Sequence, residues 1–78
     1  MKMKQFSFTL TFDLPDPTDN PDRYVDALYE AGCSDASIGI GRDGRIGLNF
    51  TRVARTELEA VSSAIIDVKK AIPGARLT

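Results

Sequence analysis

Seven carboxylates crowd residues 13–35, DLPDPTDNPDRYVDALYEAGCSD: Asp13, Asp16, Asp19, Asp22, Asp26, Glu30 and Asp35, against one cation, Arg23. Carboxylates at this density can hold calcium, work as acid–base pairs or present negative charge to a basic partner. The first use needs the D-x-[DN]-x-[DN]-G spacing of a calcium loop. That spacing is missing, and prolines at 15, 17 and 21 interrupt the run. Acid–base or nucleophilic chemistry is equally poorly served. The chain has no histidine and a single cysteine, Cys33, so no side chain is suited to activating that thiol in the usual way. Gly39-Ile40-Gly41-Arg42-Asp43-Gly44 matches G-x-G-x-x-G. The dinucleotide version requires a helix to follow, and here a strand pattern follows instead. A kinase-type glycine loop would need a strand lysine and a catalytic loop that the chain does not contain. The run reads as a glycine-rich hairpin, and the expectation is a non-enzyme with no metal and no cofactor.

The third use fits better. On a helix, Asp22, Asp26 and Glu30 share one flank, with Asp19 just before them, at steps of about 6 Å for every four residues. Like charges so placed repel by a few tenths of a kcal/mol per pair, and no lysine lies between them. Asp19, Asp22, Asp26 and Glu30 are therefore the predicted partner-binding residues, an acidic ridge for a basic surface of a host protein or nucleoprotein complex. Such a ridge would steer association and be weakened by salt. An ordinary solubilising helix face remains open as the other reading.

Direct nucleic-acid binding is not expected. Residues 1–12 carry Lys2 and Lys4 and no acid, and residues 36–78 hold seven bases and four acids, so the acidic stretch sets the net charge of −1. A uniformly basic binder looks different. An open sheet that reads RNA stacks bases on outward aromatics. The outward set here is Ser7, Thr9, Thr11, Ser37, Gly39, Gly41, Gly47, Asn49 and Thr51, while all four phenylalanines point inward. Arg42, Arg45, Arg52 and Arg55 gather around the hairpin and its exit, either as a solvated rim or as a phosphate contact.

The elements that must position these residues follow from periodicity. Residues 5–14 alternate, with Phe6, Phe8, Leu10 and Phe12 on one face, and form a half-buried strand ended by Pro15 and Pro17. Asn20-Pro21 starts a helix that runs to about Ala31, with Tyr24, Val25, Leu28 and Tyr29 apolar and Gly32 as its left-handed cap. Residues 36–41 and 45–52 are strands around an Asp43-Gly44 turn, with Ile38, Ile40, Ile46, Leu48 and Phe50 inward. Thr56 and Glu59 form a capping box for a second helix that presents Leu58, Val61, Ala64, Ile65, Val68 and Ile72 until Pro73-Gly74 stops it. Residues 75–78 supply a short last strand. The predicted fold is one α+β domain spanning 1–78, a ferredoxin-like βαββαβ arrangement with two helices packed on one face of an antiparallel sheet.

At 78 residues the core supplies only a few kcal/mol, which leaves little apolar surface to line a deep cavity. One cysteine excludes an intramolecular disulfide, and no apolar run approaches a membrane span. Without a signal peptide pattern the expected compartment is the cytoplasm.

The segments FTLTFDLPD, VDALYEAGCSDASIGIG, GRIGLNFTR and LEAVSSAIIDVKKAIPGARL resemble a group of small bacterial proteins described as DNA-binding, in many of which such a domain precedes a helix-turn-helix. The resemblance covers most of residues 6–77, and Asp26 to Ala36 is its most specific part. It implies no functional residue, and because this chain ends at Thr78, what the longer members do through that segment is not carried over. In size, charge and simplicity the chain is also similar to phage and mobile-element inhibitors, anti-CRISPR proteins among them. The expected function is stoichiometric inhibition, with the acidic flank occupying a basic DNA-binding surface of a CRISPR effector. The alternative is a stand-alone regulatory or partner-sensing module of a helix-turn-helix transcription system.

Overall fold

Strict alternation of Phe, Leu and small polar residues gives the longest ladder in the molecule. In the computed structural model, which describes residues 2–78 and, of Ile40 and Gly41, the backbone alone, β1 (Lys4–Asp13) pairs antiparallel along its whole length with β3 (Arg45–Ala54). The register sets Phe8 against Phe50, Leu10 against Leu48 and Phe12 against Ile46. The Phe8 and Phe50 rings stack with centroids 5.4 Å apart, a cross-strand aromatic pair of the kind that fixes register. On the other side of β3 lies β2 (Ala36–Arg42), and the two-residue β4 (Arg76–Leu77) adds to the free edge of β1. The result is an α+β domain with a four-stranded antiparallel sheet in the order β2-β3-β1-β4. The inward assignment of Ile40 lies outside the described side chains.

Two helices cover one face. α2 (Glu57–Ala71) buries Ala60, Ala64 and Val68, which step by four along one line and bring its backbone close to the sheet. At about 100° per residue, position 58 falls roughly 160° from position 60. Leu58, expected inward, is accordingly 76% exposed. Thr56 accepts from the Glu59 amide as predicted, but the Glu59 carboxylate takes the Arg55 amide rather than that of Thr56, so the capping box is offset by one residue.

The first helix also departs from expectation. In place of one helix from Pro21 to Ala31, a 3-10 turn (Pro21–Tyr24) leads into a six-residue α1 (Val25–Glu30). Asn20 caps the Asp22 amide through its side chain and accepts from Arg23 through its carbonyl, an i→i+3 bond that winds the entry tightly. At the other end, the Cys33 amide reaches the Leu28 carbonyl and the Gly32 amide reaches that of Tyr29, the paired bonds of a Schellman cap, with Gly32 at φ +114°. Phe12, Leu28, Ile46, Leu48, Phe50, Val68 and Ile72 are buried in one contiguous core between sheet and helices.

Candidate functional site

The predicted acidic ridge divides when its residues are placed. Asp19 belongs to the scaffold. Its side chain is 10% exposed, accepts from the Arg23 guanidinium at 2.9 Å and from the Tyr24 hydroxyl at 2.7 Å, and its carbonyl takes the Gly44 amide at 2.8 Å. That carboxylate holds the Tyr24 phenol above its usual pKa. Asp22, Asp26 and Glu30 are exposed, and among the described residues none of the three has an ion-pair partner. Asp22 sits in the 3-10 turn, whose repeat is three, so it is offset from the line that joins Asp26 to Glu30 on α1. Between those two lies Tyr29, expected inward and found 46% exposed. The exposed surface of this segment therefore carries three carboxylates without ion-pair partners among the described residues, together with Tyr29 and with Arg23, which pairs with Asp19.

The arginine cluster is rearranged as well. Arg52, read as rim or phosphate contact, is 8% exposed and faces inward, opposite Phe6 in the ladder. All five of its N–H groups are used. The guanidinium donates to both Asp35 oxygens at 2.7 and 3.0 Å, to Asp67 at 3.0 Å, to Ser63 at 3.1 Å and to the Gly32 carbonyl at 3.0 Å. It also lies over the Phe50 ring, 5.0 Å from the centroid. The hydrogen bonds to Asp35 raise its pKa above an already high value, so the cation is permanent. This hub ties β3 to α2 and to the turn between α1 and β2. In sequence Arg52 stands among arginines that surround the hairpin and its exit, which masks this role. The period of two that places Phe50 inward places Arg52 inward with it.

Gly39 to Gly44 spans strand and hairpin, with Gly44 at φ +82° in the turn, and β3 rather than a helix follows. Cys33 is fully buried. Burial first, then the Asp67 charge, pushes its thiol up to about 11. The native protein is expected to react with Ellman's reagent only at the rate of its unfolding, while denatured chain reacts within the mixing time; a fast native reaction contradicts the burial. Because the folded state keeps a proton that the unfolded chain releases, stability falls as pH rises from the ordinary thiol range towards about 11. Among the described residues no cluster of histidine, cysteine or carboxylate groups is arranged to hold a metal.

No protein-family model matches the chain, and no curated protein or solved structure matches it. No helix is long and apolar enough to cross a membrane among the described residues.

Proposed function

We propose that this chain is a non-catalytic binding domain of ferredoxin-like topology that acts by covering a basic surface of another macromolecule, one that otherwise holds nucleic acid. The topological reading is supported by two crossovers, β1–α1–β2 and β3–α2–β4, each of which skips one strand in the order β2-β3-β1-β4. The observation that carries the function is the exposed trio Asp22, Asp26 and Glu30, without cation partners among the described residues, on a segment that also exposes Tyr29. Carboxylates steer a basic partner and set the salt dependence, while an aromatic ring supplies contact area at low entropic cost. Asp19 does not take part directly; it holds the turn that presents the others.

The DNA-binding groove of a CRISPR effector complex is the surface on which the reading is tested. Added protein is expected to release target DNA from the effector in a mobility-shift assay, with an inhibition constant that weakens steeply with salt. Asp22→Lys with Asp26→Lys should slow association on the order of ten- to a hundredfold. Tyr29→Ala should speed dissociation instead, because it removes contact rather than charge. All three positions are exposed, so circular dichroism and Tm should stay close to wild type. Normal inhibition by the double charge reversal would rule out the acidic surface as the contact.

A further inference from the structure

A second surface, independent of the acidic trio, lies where three connections meet at one end of the sheet. The register pairs Arg42 with Arg45, Arg45 with Asp13, and Asp13 with Arg76, so four charged residues stand in a row across β2, β3, β1 and β4. They line a cleft of about 520 Å³ together with Leu14, Pro15, Pro17, Asp43 and Gly44. That volume lies within the range of about 300–1,000 Å³ usual for small-ligand sites.

Two backbone hydrogen bonds tie together the segments that carry the lining residues. The Leu14 amide donates to the Gly44 carbonyl at 2.8 Å, and the Gly44 amide to the Asp19 carbonyl at 2.8 Å, which staples the hairpin to the loop after β1. The turn before β4 packs so closely on Pro15 that a Cβ at Gly74 would lie 2.7 Å from the proline ring. Arg42, Arg45 and Arg76 are thus carried by three strands whose ends meet at these contacts, with an irregular β2–β3 register between Gly39 and Arg42.

The cleft is lined by three arginines against two carboxylates, Asp13 and Asp43, a surplus of one positive charge. Arg45 donates to Asp13 at 3.1 Å, while among the described residues Arg42 and Arg76 have no carboxylate partner. Like charges directly opposed across a ladder are destabilising, and Arg42 faces Arg45 in this way. A bound anion would remove that repulsion, and guanidinium forks suit the paired oxygens of phosphate or carboxylate groups.

We propose that this cleft binds a small polyanion through Arg42 and Arg76, with Arg45 held in reserve by Asp13. The ligand chemistry is two or more oxyanion groups on one small molecule, either phosphates or carboxylates.

The test is a titration of the ¹⁵N-labelled full chain with pyrophosphate, with citrate, and with a single-stranded oligonucleotide, each at constant ionic strength. Saturable shifts are expected at the amides of Arg42, Gly44, Arg45 and Arg76 with pyrophosphate or with citrate, and the arm that binds more tightly identifies the source of the oxyanions. Arg42→Gln and Arg76→Gln should each weaken binding by about tenfold. Asp13→Asn should tighten it several-fold by freeing Arg45, an outcome that general disruption of the sheet end would not produce. Linear, non-saturating shifts in both small-anion arms would overturn the proposal. So would unchanged affinity in the two glutamine variants, or saturation by the oligonucleotide alone.

Discussion

Arg52→Ala is expected to cost about 3–5 kcal/mol, the range for removing one partner of a buried charge network. For a chain of this size that is most of the stability and a fall in Tm on the order of 20 °C. The cost has two sources. Five hydrogen bonds from one guanidinium disappear, and Asp35, Asp67 and the Gly32 carbonyl lose their common donor. The Asp35 and Asp67 side chains are 31% and 21% exposed, so water recovers part of their solvation and the loss should lie nearer the lower figure. Arg52→Lys keeps the charge but not the fork; it cannot bond both Asp35 oxygens in plane while reaching α2, and an intermediate loss is expected. The informative control replaces Arg52, Asp35 and Asp67 together by Met, Leu and Leu. If desolvation of stranded carboxylates dominates, the triple variant recovers most of what Arg52→Ala loses. If it is no better than Arg52→Ala in a urea melt, the hydrogen bonds themselves dominate and the desolvation account is wrong.

The same residue shows what sequence reading can and cannot recover. Period-two alternation is a local property of the backbone, so β1, β3 and their inward set Leu10, Phe12, Ile46, Leu48 and Phe50 were legible without any tertiary information. The rule also pointed Arg52 inward. What it could not say is where the compensating carboxylates would come from, since Asp35 and Asp67 lie 17 and 15 residues away in sequence and meet only when α2 packs on the sheet. On α2 the spacing of three and four places Ala64, Val68 and Ile72 in the core and Val61 and Ile65 against it, and errs at Leu58. Leu58 outweighs Ala60 in hydrophobicity, but the helix is drawn down on the side where small residues permit close approach, and Ala60 and Ala64 define that side.

At the acidic segment, composition carried the signal and geometry divided it. Asp19 and Asp22 look alike in sequence, one just before and one just inside the start of a proline-led helix. They separate because Tyr24 and Arg23 fold back onto the Asp19 carboxylate, five and four residues on, whereas among the described residues no side chain bonds to the Asp22 carboxylate. The cleft at the sheet end was legible in neither respect. Arg76 lies 31 residues beyond Arg45, and only the pairing of β4 with β1 brings the two to the same row.

Gly44→Ala is expected to cost about 3 kcal/mol or more, from two separable effects. The backbone at Gly44 has φ +82°, where an L-residue other than glycine is strained by about 1–2 kcal/mol. Beyond that, a Cβ built there would lie 2.5 Å from the Pro17 carbonyl oxygen and 2.8 Å from its Cα, backbone atoms that cannot turn aside as a flexible side chain would. Relief requires the hairpin to separate from the loop after β1, and that breaks the bonds of Gly44 to Leu14 and Asp19. Gly44→Asn distinguishes the two effects, because asparagine tolerates positive φ but carries the same Cβ. Equal loss of stability in the two variants assigns the cost to the contact with Pro17; a clearly milder asparagine assigns it to the backbone. Gly39→Ala supplies the baseline, since among the described residues its Cβ would meet only the Gly47 carbonyl at 3.7 Å, and a change within about 1 kcal/mol is expected. The fold and the cleft depend on the same staple. A Gly44 variant that stays folded at low temperature should therefore lose pyrophosphate binding even though Arg42, Arg45 and Arg76 are all present. Retained affinity would show that the arginines act through charge alone and that the cleft's shape contributes nothing.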